Sequence, residues 1–121
     1  MTEQPPFDLP EALARVRGRR ALLKDLAGIV IAQADGLLYD CEQALHSGDA
    51  VKLERAAHTL KSSVGSLCAG PAAELAQHLE NAGRNGDFTS AAADLQLLTA
   101  SIQRLVPALQ SFLDEPEPVG E

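Results

Sequence analysis

The chain has no tryptophan, one tyrosine and three phenylalanines in 121 residues, so its core must be built from Leu, Ala, Val and Ile. A chain rich in Ala and Leu favours helix. No alternating run of Val, Thr and Tyr marks a strand. Nor does any apolar run approach the length of a membrane span, the nearest, 27–34, being interrupted by Gln33. The start of the chain lacks the charged-then-apolar layout of a signal peptide. Cysteine is scarce, and Cys41 and Cys68 are too far apart in sequence to suggest a metal site. Cys41 falls on an apolar stripe, which predicts a buried thiol, no disulfide and a reducing cytoplasm. Positive charge is also short. The net charge of -7 argues against nucleic acid as the main partner, because phosphate binding needs clustered cations. The local exception is Arg15, Arg17, Arg19, Arg20 and Lys24, either a solvated helix end or a docking patch for an acidic partner.

What is present suits one domain with a single core. The ends, 1–6 and 114–121, are rich in Pro and Glu and are expected to be disordered, leaving 7–113 as the folded unit. A short helix is expected over 9–16, with Asp8 as N-cap, Pro10 at the start and Phe7 stapled to Leu13. A long helix follows over about 20–46, with Leu23, Leu26, Val30, Leu37, Cys41 and Ala44 on its core face and Gly48 as a left-handed cap. Beside that stripe lies a second apolar row, Ala27, Ile31, Ala34 and Leu38. It either packs under the first helix or forms an exposed docking patch. Asp49 caps a third helix whose core face is Leu53, Ala57, Leu60, Val64 and Leu67. A fourth helix is expected over 72–82, with Leu75, Ala76 and Leu79 inward, and 81–86 is expected to be a turn. The last begins at Asp87 or Thr89 and carries Ala92, Leu95, Ile102, Leu105, Leu109 and Phe112, with a kink expected at Pro107. Short joints between four long helices predict an all-α, antiparallel up-down-up-down four-helix bundle with a short extra N-terminal helix.

The third helix carries the chemistry. At about 100° per residue, His58 points roughly 140° away from the core face, into solvent. Ser62 lies one turn on and Gly65 two turns on, in nearly the same direction. Lys61 and Glu54 flank one side and Arg55 the other. A neutral imidazole keeps a lone pair on one nitrogen and can attack phosphorus. Small residues beside it admit a second protein, and a nearby cation offsets the charge of a transferring phosphoryl group. His46, in the last turn of its helix, and His78 lack this setting.

The segment His58-Thr59-Leu60-Lys61-Ser62-Ser63-Val64-Gly65-Ser66-Leu67-Cys68-Ala69 resembles the signature of the histidine-containing phosphotransfer (HPt) domain family. Phe7-Asp8-Leu9 and the Gly48-Asp49 and Gly86-Asp87 joints are similar to that family as well. The resemblance covers roughly 7–113. It implies that His58 is the phosphoacceptor, that Lys61 helps neutralise the phosphoryl group, and that Gln77 or Glu80 holds the ring through its other nitrogen. Two positions depart from the family. Ser62 and Cys68 stand where Gly is usual, and the Ser62 hydroxyl remains small enough for access. The chain shows no Gly-rich phosphate loop, no kinase ATP-binding elements and no paired acidic magnesium site. The resemblance therefore implies a phosphocarrier without its own kinase activity or cofactor. It would be a monomer served by response-regulator receiver domains or a hybrid sensor kinase, with Mg²⁺ on the receiver. The alternatives are an HPt-like docking or inhibitor module, and a dimeric histidine-kinase core.

Overall fold

The computed structural model describes residues 5–116. The described residues form five helices and no strand: α1 (Leu9–Arg15), α2 (Arg20–Ser47), α3 (Ala50–Gly65), α4 (Gly70–Asn85) and α5 (Phe88–Asp114). The starts of α1, α3 and α5 follow from short acidic caps. Asp8, Asp49 and Asp87 each accept a hydrogen bond from the backbone N–H three residues on, at 3.0 Å. Gly48 (φ +68°) and Gly86 (φ +67°) end α2 and α4 in the left-handed conformation that glycine adopts without a Cβ penalty.

The four long helices form a closed ring of contacts, α2 to α3, α3 to α4, α4 to α5 and α5 back to α2, while α1 packs on α2. Inside lie Leu23, Leu53, Leu60, Leu67, Leu79, Leu98, Leu105, Leu109 and Phe112, with Cys41 and many alanines between them. Phe7 meets the Phe112 ring at 6.2 Å between centroids, and so joins the entry of α1 to the end of α5. Arg20 and Lys24 also lie over the Phe112 ring and bind Glu115, Arg20 by a 3.0 Å ion pair and Lys24 through the Glu115 carbonyl. Arg19 Nε donates to the Val16 carbonyl. Three members of the basic cluster thus hold the α1–α2 joint or the end of α5 in place.

Several expectations need correction. Helix α4 is longer at both ends than 72–82, and the segment expected as a turn is helical up to Asn85. On α2 the wholly buried positions include Ala27 and Ala34, whereas Leu26, Leu37, Ile31 and Leu38 are half-buried. The helix is flanked by both α3 and α5, so its buried face is broad and centred on small residues. The row Ala27, Ile31, Ala34, Leu38 is therefore no exposed patch. On α5, Ala91 and Leu98 are buried and Ala92 is exposed. The helix runs through Pro107. Cys41 is buried and free, and burial, with the Asp40 charge, pushes its thiol up to about 12. Of the ends expected to be disordered, 1–4 and 117–121 lie outside the described residues.

Candidate functional site

Helix α3 presents His58 outward, with its side chain 58% exposed. Across from it, α4 places Glu80 with its side chain only 6% exposed. His58 Nδ1 lies 3.1 Å from Glu80 Oε2. Burial alone would push the Glu80 carboxyl up, but the contacts and charges of Lys61 and His58 outweigh it and hold the group below the ordinary glutamate range. An ionised carboxylate only accepts hydrogen bonds, so Nδ1 must carry the hydrogen. In the neutral ring the lone pair is then on Nε2.

Lys61 Nζ sits 2.7 Å from Glu80 Oε1. The approach is oblique, so this buried oxygen has an ion-pair partner but no well-aligned donor. Lys61 Nζ also donates to Gln77 Oε1 at 2.9 Å, and Gln77 Nε2 donates to Asn81 Oδ1 at 3.0 Å. Of the two polar candidates on α4, Glu80 meets the imidazole and Gln77 holds the lysine. Pairs across the two helices follow one order: Lys61 with Gln77, His58 with Glu80, Glu54 with Arg84.

Arg84 was not singled out by sequence reasoning. Its Nη2 donates to Glu80 Oε2 at 3.2 Å and its Nε to Glu54 Oε2 at 3.0 Å. The i, i+4 spacing of Glu80 and Arg84 on α4 was the available signal. Glu54, read only as a flank of His58, is its second anchor.

Of the remaining predicted residues, Ser62 and Gly65 lie along the same face and Arg55 does not. Ser62 is exposed one turn past His58. A Cβ built on Gly65 meets nothing within 4 Å, so no packing demand calls for glycine there. Arg15 reaches across from α1 to donate to the Gly65 carbonyl at 3.2 Å. Arg55 is directed away from Glu80, lining a groove between α2 and α3 with Leu37, Asp40, Val51 and Thr59. His46 and His78 are exposed, and His78 lies near Asn85, Asp87 and Asp94. Among the described residues, no group of three His, Cys, Asp or Glu side chains is placed to hold a metal ion. No described helix is long and apolar enough to cross a membrane.

A family model described as Hpt domain matches residues 25–108, more than half of the chain, and the chain belongs to that family. Hpt domains are the phosphocarriers of two-component phosphorelays and are not kinases. No curated protein and no solved structure matches at a significant level.

Proposed function

We propose that His58 accepts a phosphoryl group from the aspartyl phosphate of a receiver domain and passes it to a second receiver. The observation that carries this reading is an exposed imidazole held through Nδ1 by a buried, ionised Glu80, with Lys61 beside both. In the transfer, the Nε2 lone pair forms the N–P bond as the P–O bond to the aspartate breaks, and the carboxylate leaves. Nδ1 keeps its proton, so the phosphorylated ring is cationic and Glu80 offsets its charge. Lys61 lies close enough to offset the phosphoryl oxygens. Mg²⁺ would be held by the receiver, which supplies most of the catalytic electrostatics, and this chain brings no cofactor.

The docking surface is taken to include Ile29 and Tyr39 of α2 and Val51 of α3, large apolar side chains left exposed, and the groove that runs past Arg55 and Thr59. Ser62 and Gly65 keep the approach to His58 low. The same reading has the long helices antiparallel, up-down-up-down, which the short joints and the order of the α3–α4 pairs support. It makes 7–113 the working unit, monomeric and cytoplasmic, and its partners receivers or a hybrid sensor kinase.

The test is His58→Gln. Glutamine is similar in size and polarity but offers no nucleophilic nitrogen. The variant should melt like the wild type, bind a receiver, and take up no acid-labile phosphate, while His46→Gln and His78→Gln accept it normally. Uptake by His58→Gln would show that another residue carries the group. A wild-type protein that binds receivers without uptake would be a docking module instead.

A further inference from the structure

Glu80 raises a difficulty for a nucleophilic histidine. A carboxylate 3.1 Å from an imidazole orients the ring but also favours the imidazolium, which has no lone pair to attack with. The same charge that steadies the cationic phosphorylated ring would, if unopposed, hold a proton on Nε2 beforehand. The site needs an acceptor at Nδ1 with part of its charge already offset.

Four side chains supply that arrangement as a closed set. Glu54 and His58 lie one turn apart on α3, and Glu80 and Arg84 one turn apart on α4. Arg84 bridges the two carboxylates, with 3.2 Å to Glu80 Oε2 and 3.0 Å to Glu54 Oε2. Glu80 Oε2 is therefore shared between the imidazole and the guanidinium, while Lys61 takes Oε1. The charged groups on the ring's side are Glu54 and Lys61 from α3 and Glu80 and Arg84 from α4, while Arg55 of α3 and Asp40 of α2 line the groove on the other side. Of the two cations on Glu80, Lys61 faces the incoming phosphoryl group in the reading above. Arg84 is anchored on its far side by Glu54 and stays with the carboxylate throughout.

We propose that Arg84 is a positioning residue for the phosphotransfer histidine: it acts through Glu80, offsetting the carboxylate that orients the ring so that Nε2 stays unprotonated until the phosphoryl group arrives. This rests on His58 being the phosphoacceptor. Arg84 touches neither the phosphoryl group nor the ring in this scheme, and its effect is on the charge state of the nucleophile.

The experiment measures phosphoryl uptake from phosphoramidate, which gives up its phosphoryl group and releases ammonia, across pH 5.5–9 in the wild type, Arg84→Gln and Arg84→Lys. Each variant is compared with wild type at the same pH, so titration of the donor cancels. Arg84→Gln keeps a hydrogen-bond donor and removes the charge, and the side chain is half-exposed, so the fold should be retained. The acid limb of its uptake profile should move up by about half a pH unit, the size expected of one partly screened charge acting through a neighbour. The rate should then fall about twofold to threefold near pH 6 and be unchanged near pH 9. Arg84→Lys should restore the wild-type profile. Nitrogen NMR of the His58 ring should show the same upward shift in Arg84→Gln without any donor present. A superimposable Arg84→Gln profile, or an equal loss at every pH that Lys does not rescue, overturns the proposal. No uptake by wild type would overturn the phosphoacceptor reading instead, and the ring NMR would still report on Arg84.

Discussion

Glu80 is a buried carboxylate whose ionisation is sustained by its neighbours, and that makes it a term in the stability of the fold as well as in the site. Its folded-state value is lowered by Lys61 and His58 against the opposing effect of burial. A group depressed in the folded state contributes stability above its unfolded value, about 4.3 for glutamate, and loses that contribution as pH falls through the folded value. Glu80→Gln abolishes this term. Urea denaturation from pH 7 down to pH 3 should show the wild type more stable than Glu80→Gln by about 1 kcal/mol at pH 6–7, with the gap closing as pH drops below about 4. A gap that stayed constant to pH 3 would mean that the carboxylate's charge is not what the fold uses. At this scale the sequence was legible where residue type alone carried the chemistry. The structure brings His58, Lys61 and Glu80 together, but the choice of Glu80 over Gln77 and the shared grip of Arg84 need the α3–α4 distance and are invisible in one dimension. Cys68 shows the reverse case. It departs from the glycine usual at that position, and the structure gives it φ +57°, a left-handed backbone that glycine adopts without cost.

At the scale of elements, the Asp-capped helix starts followed from residue type, whereas at the end of α4 composition misled. The segment 81–86 contains two Gly and two Asn, a turn-like composition, yet only Gly86 turns the chain. Gly83 is helical and buried. A Cβ there would come within 2.9 Å of the Glu54 backbone nitrogen and 3.2 Å of its Cα. The glycine lets α4 approach α3 closely, at the level where Arg84 meets Glu54. Composition cannot distinguish a glycine that bends the chain from one that admits a neighbouring backbone. Gly83→Ala should therefore destabilise despite alanine's better helix propensity. Backbone cannot yield as a side-chain tip can, so a cost of about 1–3 kcal/mol is expected. Thermal melting should show a drop of several degrees, and a raised melting temperature would place the helices farther apart than described.

At the scale of the whole molecule, the proposed function puts chemistry and docking on one face but on different residues, and Gly65 separates them. It lies two turns beyond His58, in the last turn of α3, with open space where a side chain would go. The pattern of small residues along this face was legible in sequence. That packing does not require Gly65 became apparent only from the absence of any atom within 4 Å of its Cβ position. A side chain added there fits the fold, and leucine is the better helix former, so Gly65→Leu should melt at or above the wild-type temperature. His58, about 10 Å away along the helix, keeps its Nδ1 contact with Glu80, and Glu80 keeps Lys61. Uptake from a small donor such as phosphoramidate should therefore match wild type. In the proposed transfer a receiver domain lays a broad surface across the same face, and a leucine projecting from it would hold that surface away. Transfer from a phosphorylated receiver should slow by tenfold or more, since about 1 Å of misplacement costs on the order of 100-fold in a positioned reaction. Normal transfer from the receiver would put the docking surface elsewhere on the bundle. Equal slowing with both donors would mean that the leucine disturbs His58 itself.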